Sequence, residues 1–258
     1  MYQVDEICKW IKNYFLKNGR NSKAIIGISG GKDSTICAAL LVKALGKDRV
    51  IGIKMPNGDQ EDIDIANKVI NYLDIESKEY NIYQICQAYK NLFPEYNNNI
   101  GLYSNIPARV RMSILYAVAA EVGGRVCCTC NKSEDYVGYS TKFGDAAGDF
   151  ALLKDFTVEE VIKIGETLKL PKEFIYKTPS DGLCGQTDED RLGFTYAELD
   201  DYILRSIEPD FTKLVKIISL HEKSQHKEKP IQYYKKEQFY VSSALEIGSL
   251  SLKENKGI

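Results

Sequence analysis

The segment GISGGKDST, residues 27–35, constrains the fold of this chain more than any other part of the sequence. It follows the apolar run at 24–26, which is typical of a buried strand, and residues 34–45 after it have the pattern of a helix closed by Gly46. In such a turn the glycines let backbone N–H groups face inward, and the helix adds the positive end of its dipole. We therefore predict an anion-binding loop that suits a pyrophosphate.

The carboxylate of Asp33 separates this loop from the best-known phosphate-binding pattern. That pattern places a serine or threonine directly after the lysine, whereas Lys32 is followed here by Asp33. Because a phosphate would repel this carboxylate, we predict that Mg²⁺ bridges Asp33 and the phosphate oxygens. The alternative interpretation is a plain glycine-rich turn of an ordinary sheet protein. The combination Ser-Gly-Gly-x-Asp-Ser between a strand and a helix makes that alternative the less favoured one.

Strand-like and helical segments alternate along the first half of the chain. The pattern predicts strands at 24–28, 50–53, 78–82 and 125–129, and helices at 3–18, 34–45, 61–73, 82–92 and from about Pro107 to 120. We expect a loop at 97–105 and later helices at 158–168, 196–204 and 211–221. The alternation indicates an α/β fold with a parallel sheet and right-handed crossovers. Ligands of such sheets bind beyond the carboxyl ends of the strands, where residues 27–34 and 129–134 fall.

The overall charge argues against several classes of partner. Lysine and arginine total 34 and the acidic residues 36, so we expect no binding to nucleic acid or to membrane surfaces. The amphipathic start lacks the features of a signal peptide, and no apolar run is long enough to cross a bilayer. Seven cysteines without scaffold-like spacing suit a reducing cytoplasm. We expect a cytoplasmic protein with a single domain over 1–258, its core at 4–234 and a loose tail at 240–258.

Two further segments of the first half carry polar side chains that could line a site. Arg109 and Arg111 are predicted to open a helix, where cations are unfavourable with the dipole, so they indicate either an anionic partner or a solvated basic turn. After the fourth strand, Thr129 could hydrogen-bond a nucleotide and Glu134 could supply a second carboxylate for Mg²⁺. The competing interpretation of this stretch is helix capping, with Asn131 near the cap and Glu134 in the first turn.

The second half contributes two more polar segments. Lys142, Asp145 and Asp149 lie in a glycine-flexed loop, which suits either a pocket wall or a solvated turn. Residues 179–202 alone would indicate an exposed loop that caps a helix.

These segments resemble known families. Ser-Gly-Gly-Lys-Asp-Ser at 29–34 resembles the loop of the N-type ATP pyrophosphatases, which cleave ATP between the α- and β-phosphates and adenylate an oxygen of the substrate. The resemblance implies a doubly wound parallel sheet of the adenine nucleotide alpha hydrolase type, which is Rossmann-like. In their order and spacing, the segments at 105–112, 129–134, 138–149, 179–202 and 225–227 make the chain similar to the ammonia-dependent NAD synthetases from about residue 4 to 234.

The resemblance implies a role for each matching residue. It implies that ATP binds to Gly27, Ile28, Ser29, Gly30, Gly31, Lys32, Asp33, Ser34, Met55, Thr129 and Ser180. It implies that Mg²⁺ is held by Asp33 and Glu134, and that deamido-NAD is held by Arg109, Lys142, Asp149, His226 and Lys227. Asp145 is the candidate carboxylate for handling ammonium, beside Asp33 and Glu134 in catalysis. The resemblance also implies a homodimer, with deamido-NAD near the subunit interface.

Some features leave alternatives open. Many relatives place a lysine where this chain has Val158, and Lys154 is the candidate to replace it. The Cys-x-x-Cys spacing at 127–130 could suggest tRNA thiolation, but we interpret these cysteines as small core residues. Met55 could equally be plain core packing. Another amide-forming synthetase of the same loop class, or a noncatalytic ATP-binding domain, is the alternative function. Free ammonia is the expected nitrogen source, and a separate glutaminase partner stays open.

Overall fold

The computed structural model describes residues 2–59, 63–176 and 187–234. The strands in this part of the chain are β1 (Ala24–Gly27), β2 (Val50–Lys54), β3 (Glu76–Glu79), β4 (Arg125–Cys128) and β5 (Phe150–Ala151). The helices are α1 (Tyr2–Asn18), α2 (Lys32–Leu45), α3 (Ile63–Leu73), α4 (Tyr83–Leu92), α5 (Ile100–Val122), α6 (Lys132–Tyr136), α7 (Val158–Thr167), α8 (Lys172–Ile175), α9 (Asp188–Leu192), α10 (Tyr196–Arg205) and α11 (Phe211–Glu228).

The five strands form one sheet in the order β3-β2-β1-β4-β5, and every neighbouring pair is parallel. Ile25 and Ile26 show why the sheet is covered on both faces: their side chains point to opposite sides, and both are fully buried. Ile26 belongs to the core cluster that includes α1, α2 and α7, while Ile25 belongs to the cluster that includes α5. The predicted α/β fold with a doubly wound parallel sheet is confirmed.

The chain order of the strands reverses next to β1, and this position decides where a ligand can bind. The connection after β1 leads towards β2, whereas β4 pairs on the other side of β1. The loops that leave the carboxyl ends of β1 and β4 therefore diverge and leave a crevice between them. The glycine-rich loop follows β1 and residues 129–131 follow β4, so both predicted ligand-binding segments meet at this crevice.

The predicted loop at 97–105 is wrong, because α5 begins at Ile100. The side chain of Asn99 caps the helix by accepting hydrogen bonds from the backbone N–H groups of Gly101 and Leu102, at 2.9 and 3.3 Å. Pro107 lies inside the helix rather than near its start. Arg109 and Arg111 consequently do not open the helix, so the argument from an unfavourable dipole does not apply to them.

Other differences from the predicted elements are smaller. The third strand covers Glu76–Glu79 rather than 78–82, and α11 extends seven residues beyond 221, to Glu228. The two-residue strand β5 and the short helices α6, α8 and α9 were not predicted, since segments this short carry no full period of an apolar pattern. The start of the predicted helix at 61 lies outside the described residues, and α3 is described from Ile63.

The described residues up to 228 belong to one compact unit, and residues 229–234 belong to a second. In the second unit the structure describes 229–234, which carry neither helix nor strand. The tail at 240–258 lies outside the described residues, so the single domain over 1–258 stays a prediction. In the described ranges, none of the helices combines the length and apolar character needed to span a membrane.

We expect the Asn99→Ala variant to be less stable than the wild type by about 1 kcal/mol, because its helix loses a capping side chain. Thermal or urea unfolding of the ligand-free protein measures this change. Asn97→Ala, which removes an exposed amide two residues earlier, is the control and should stay within about 0.5 kcal/mol of the wild type. Equal stability of the two variants would contradict the assigned cap.

Candidate functional site

The glycine-rich loop leaves the amino end of α2 open. Gly31 is the residue before the helix, and no side chain caps it. Gly30 has a φ of +81°, which a side chain would strain, and this conformation turns the chain from β1 into the helix. The Ser29 hydroxyl accepts a hydrogen bond from the Gly31 N–H at 3.2 Å. The first N–H groups of α2 are therefore available to an anion, as the sequence predicted.

The loop approaches the end of β2 closely at Gly27. A Cβ at this position would lie 3.3 Å from the terminal methyl of Met55, so glycine allows the contact. Met55 is 8% exposed and packs in the core cluster that includes α5. Its side chain thus lies next to Gly27 at the end of β1 and serves core packing, while its role against an adenine ring stays a prediction.

A pair of carboxylates lies where the ends of β1 and β4 meet. Asp33 accepts hydrogen bonds from the Lys32 ammonium at 2.9 Å and from the Asn131 amide at 3.1 Å. Asn131 also forms a capping box with Glu134: its side-chain oxygen accepts from the Glu134 N–H at 3.0 Å, and the Glu134 carboxylate accepts from the Asn131 N–H at 3.3 Å. One asparagine therefore connects both predicted metal ligands. The sequence suggested it only as a cap, since its contact with Asp33 spans 98 residues.

The charges at this junction are unbalanced towards the negative. Burial, together with the nearby charge of Asp33, raises the pKa of Glu134 well above its ordinary value, although Lys32 partly opposes the shift. Lys32 itself is 5% exposed; burial disfavours its charged form, but Asp33 and Glu134 outweigh burial and raise the pKa of the ammonium. A cation between the two carboxylates would relieve the effect of the Asp33 charge on Glu134.

The oxygen donors at this junction suit Mg²⁺, but they do not form a complete coordination shell. In the described part of the chain, no group of three or more His, Cys, Asp or Glu side chains is placed to hold a metal ion. Magnesium commonly takes one or two carboxylates and completes its shell with water and substrate phosphates. Asp33 and Glu134 can supply those two carboxylates next to the open end of α2.

Of the two remaining predicted ATP contacts, the structure describes one. Thr129 directly follows β4 and is half-buried. Ser180 lies outside the described residues. The predicted contacts of both residues with ATP stay predictions.

Four of the five residues predicted for deamido-NAD lie close together. Arg109 donates to the backbone oxygen of Lys142 at 3.3 Å, and the Lys142 ammonium donates to the backbone oxygen of His226. Lys227 donates to the backbone oxygens of Gly138 and Ser140, at 2.7 and 2.8 Å. Residues from α5, from the loop at 138–149 and from the end of α11 thus form one basic group. Burial lowers the pKa of Lys227.

Asp149 differs from the other four, because the protein already uses its carboxylate. It accepts from the backbone N–H of Val126 at 2.7 Å and from the Tyr116 hydroxyl at 3.3 Å. Val126 is the second residue of β4, so Asp149 extends the hydrogen bonding of the sheet near the start of β5. In the structure the Asp149 carboxylate is hydrogen-bonded to strand β4, and its role with deamido-NAD stays a prediction.

Comparison with known proteins identifies the family of this chain. The family model described as NAD synthase matches residues 3–241. The chain belongs to the NAD synthase family. An NH(3)-dependent NAD(+) synthetase of Pyrococcus furiosus is 39% identical over 200 residues, which cover 77% of each protein. The resemblance to the ammonia-dependent NAD synthetases is confirmed, and with it the prediction of a ligase that forms a C–N bond.

Solved structures of this family agree in fold. The structure of NMN synthetase from Francisella tularensis has a TM-score of 0.84 at 32% identity, over 91% of this chain and 98% of that one. An NH3-dependent NAD synthetase from Campylobacter jejuni has a TM-score of 0.74 at 27% identity, with the same coverage.

The candidate ammonium-handling carboxylate of this NAD synthase family member has thiol neighbours. Asp145 accepts from the backbone N–H of Thr141 at 3.0 Å, and the Cys130 sulfur lies 3.7 Å from its second oxygen. Partial removal of this carboxyl from water raises its pKa, although the hydrogen bonds from Thr141 and Cys130 oppose the shift. The six described cysteines are all buried free thiols, as the core interpretation predicts. The contact of Cys130 with Asp145 was not predicted.

Lys154 is engaged elsewhere in the molecule. Its ammonium pairs with Asp135 at 2.9 Å and with Glu228 at 2.7 Å, joining α6 to α11. The backbone of Val158 donates to the Ser133 hydroxyl at 3.0 Å. In this structure Lys154 thus connects two helices. Of the lysines described so far, the buried Lys32 is the one bonded to the carboxylate pair, through Asp33.

Proposed function

We propose that this chain activates the nicotinate carboxylate of deamido-NAD with ATP and then transfers ammonia to it, which forms NAD, AMP and pyrophosphate. The observation that carries the proposal is the joint position of Asp33 and Glu134, linked by Asn131, at the open amino end of α2. A noncatalytic nucleotide-binding domain would not need two carboxylates beside a phosphate site. The membership of the NAD synthase family supports the same reaction.

Each part of the site has a task in this reaction. The N–H groups of α2 and the Lys32 ammonium bind the pyrophosphate portion of ATP and stabilise the charge that develops on it as it leaves. Asp33 and Glu134 hold Mg²⁺, which when bound neutralises charge on the phosphates. Arg109, Lys142, His226 and Lys227 bind the anionic dinucleotide. Most of the rate enhancement comes from alignment and electrostatic stabilisation, because neither step requires a protein nucleophile.

Asp145 is the candidate residue for handling the nitrogen source. We propose that its carboxylate binds ammonium and directs the released ammonia to the acyl-adenylate. The raised pKa of this group supports a role in proton transfer, because it brings the pKa closer to the operating pH. The protein is further proposed to act in the cytoplasm as a homodimer. Light scattering of the purified protein tests whether it is a homodimer.

A second acceptor substrate is favoured by one comparison. The solved structure with the TM-score of 0.84 is an NMN synthetase, so the mononucleotide of nicotinate is an alternative to deamido-NAD. Both acceptors present the same carboxylate, and they differ in whether an adenylate portion is attached. The chemistry at Asp33 and Glu134 is the same for either one.

The deciding assay mixes the protein with ATP, Mg²⁺, ammonium and one acceptor at a time. We expect AMP to form in equal amount to NAD when deamido-NAD is present, and no AMP when the acceptor is left out. A higher kcat/KM for nicotinate mononucleotide would assign the protein to NMN synthesis. Absence of AMP with both acceptors, in protein that is folded, would contradict an amide-forming ligase.

The effect of Mg²⁺ on stability should depend on pH through Glu134. A carboxylate whose folded-state pKa is raised above 4.5 stabilises the free protein below that pH, and this contribution is lost as the pH rises through the raised pKa. Mg²⁺ requires the deprotonated form. We therefore expect the increase in melting temperature caused by Mg²⁺ to grow with pH above about 4.5.

Two variants separate this effect from helix capping. Glu134→Gln should make the response to Mg²⁺ small and independent of pH. Glu160→Gln is the matched control, because Glu160 forms the same kind of capping box with Thr157 at the start of α7. It should lose some stability and keep the response. The same loss of response in both variants would contradict the metal role of Glu134.

A further inference from the structure

Tyr196, the first residue of α10, has a hydroxyl group that the described protein does not satisfy. Its backbone N–H donates to Glu189 at 2.8 Å, and the side chain is 4% exposed. The hydroxyl oxygen is buried and has no hydrogen-bond partner in the described part of the chain. Buried polar groups are nearly always paired, because leaving one unpaired costs its full desolvation free energy. An orphaned hydroxyl therefore points to an acceptor that arrives from outside the protein.

The surroundings of Tyr196 show which kind of ligand supplies this acceptor. The Lys32 ammonium lies 5.9 Å from the centre of the tyrosine ring, so the ring is next to the phosphate-binding loop. Burial, followed by the charges of Glu134 and Asp188, raises the pKa of the phenol, which therefore stays protonated and can donate. Neither Glu134 nor Asp188 accepts a hydrogen bond from the phenol, although the charges of both raise its pKa.

We propose that the Tyr196 hydroxyl donates a hydrogen bond to an oxygen of the pyrophosphate portion of ATP. The inference rests on the proposed ATP site at the amino end of α2. Lys32 connects the two, because its ammonium is bonded to Asp33 of the loop and also lies over the ring. A polyphosphate beside Lys32 brings acceptor oxygens next to the tyrosine ring, whose hydroxyl is an unused donor. Tyr196 is then a substrate-binding residue contributed by α10.

The test removes only the oxygen atom. Full-length Tyr196→Phe is compared with the wild type by thermal unfolding without ligand, with Mg²⁺ alone and with magnesium pyrophosphate. Without ligand, the variant should melt at the same or a higher temperature, since it no longer buries an unpaired hydroxyl. Its affinity for magnesium pyrophosphate should fall about 10- to 100-fold, which is the range for a hydrogen bond to a charged group.

Tyr14→Phe is the matched control. The Tyr14 hydroxyl has a partner within the protein, the backbone oxygen of Asp149 at 3.0 Å. This variant should therefore melt at a lower temperature and keep the wild-type affinity for magnesium pyrophosphate. The two tyrosine-to-phenylalanine changes thus have opposite expected signatures, which a general effect of lost packing cannot produce.

Each contrary result overturns a defined statement. A lower melting temperature of ligand-free Tyr196→Phe would show that the hydroxyl serves the fold. Unchanged affinity of this variant, when the wild type binds, would overturn the inference and leave the proposed function standing. A reduced response to Mg²⁺ alone would assign the hydroxyl to metal-bound water and overturn the phosphate contact. Failure of the wild type to bind magnesium pyrophosphate would overturn the proposed ATP site together with the inference.

Discussion

Asp33→Ala is expected to lower turnover by about 100- to 1000-fold while the protein stays folded. The carboxylate lies at the junction of the loop and the end of β4, bonded to Lys32 and Asn131. Its side chain is 18% exposed, so a ligand can reach it. Without this carboxylate the site loses one of two metal ligands and the partner of a buried ammonium. The fold should persist, because Asp33 is not part of either large core cluster.

Two measurements together test this expectation. The rate of AMP release with saturating ATP, Mg²⁺, ammonium and acceptor gives turnover, and circular dichroism with thermal unfolding shows whether the fold is kept. Glu76→Ala is the control, because it also removes one carboxylate from an ion pair, here with Lys23 at 2.7 Å on the surface. It should keep wild-type turnover. Near-normal AMP release by folded Asp33→Ala would contradict the metal role.

Lys32→Met is expected to weaken both stability and catalysis. Methionine has a similar length but no charge, so Asp33 loses its ammonium partner at a site where Lys32 is 5% exposed. We expect the free energy of unfolding to fall by about 1.5–3 kcal/mol, the range for a lost hydrogen bond to a charged group. Turnover should fall about 100-fold, because the leaving pyrophosphate loses an electrostatic contact.

The control for this prediction is Lys23→Met, which breaks an exposed ion pair with Glu76. Exposed pairs contribute little, so this variant should match the wild type within about 1 kcal/mol and keep its turnover. Urea unfolding and steady-state kinetics with varied ATP provide the measurements. Lowered stability of Lys32→Met with unchanged kinetics would mean that Lys32 serves only to neutralise Asp33.

The loop and the sheet could be predicted because their signals are local. The strand before Gly27, the glycines and the helix after Lys32 stand within about twenty residues, and each has a steric or periodic signature. The function could be predicted because several such segments occur in a family-specific order, and the family comparison confirms it. One error arose because a single side chain sets the start of a helix. The cap at Asn99 lets α5 begin seven residues before Pro107, which was expected to mark its beginning.

Contacts between distant segments could not be predicted. The sequence gave no sign that Lys32 is buried among carboxylates, since its surroundings come from α6, α9 and α10. For Glu134 it offered capping and metal binding as alternatives, whereas the structure shows a capping carboxylate that also faces Asp33. Lys154 was the candidate to replace a lysine at Val158, but Asp135 and Glu228 hold it. Such pairings depend on which loops the sheet order brings together.

By itself, the sequence determined the α/β architecture, the glycine-rich turn between a strand and a helix, and the family of this protein. These properties follow from backbone sterics, apolar periodicity and short motifs, which act over a few residues. Only the tertiary structure decided the position of α5, the engagement of Asp149 and Lys154, and the burial of Lys32 and Tyr196 at one junction. The physical reason is that burial and charge coupling are set by neighbours in space, and these neighbours are up to about 160 residues apart in the chain.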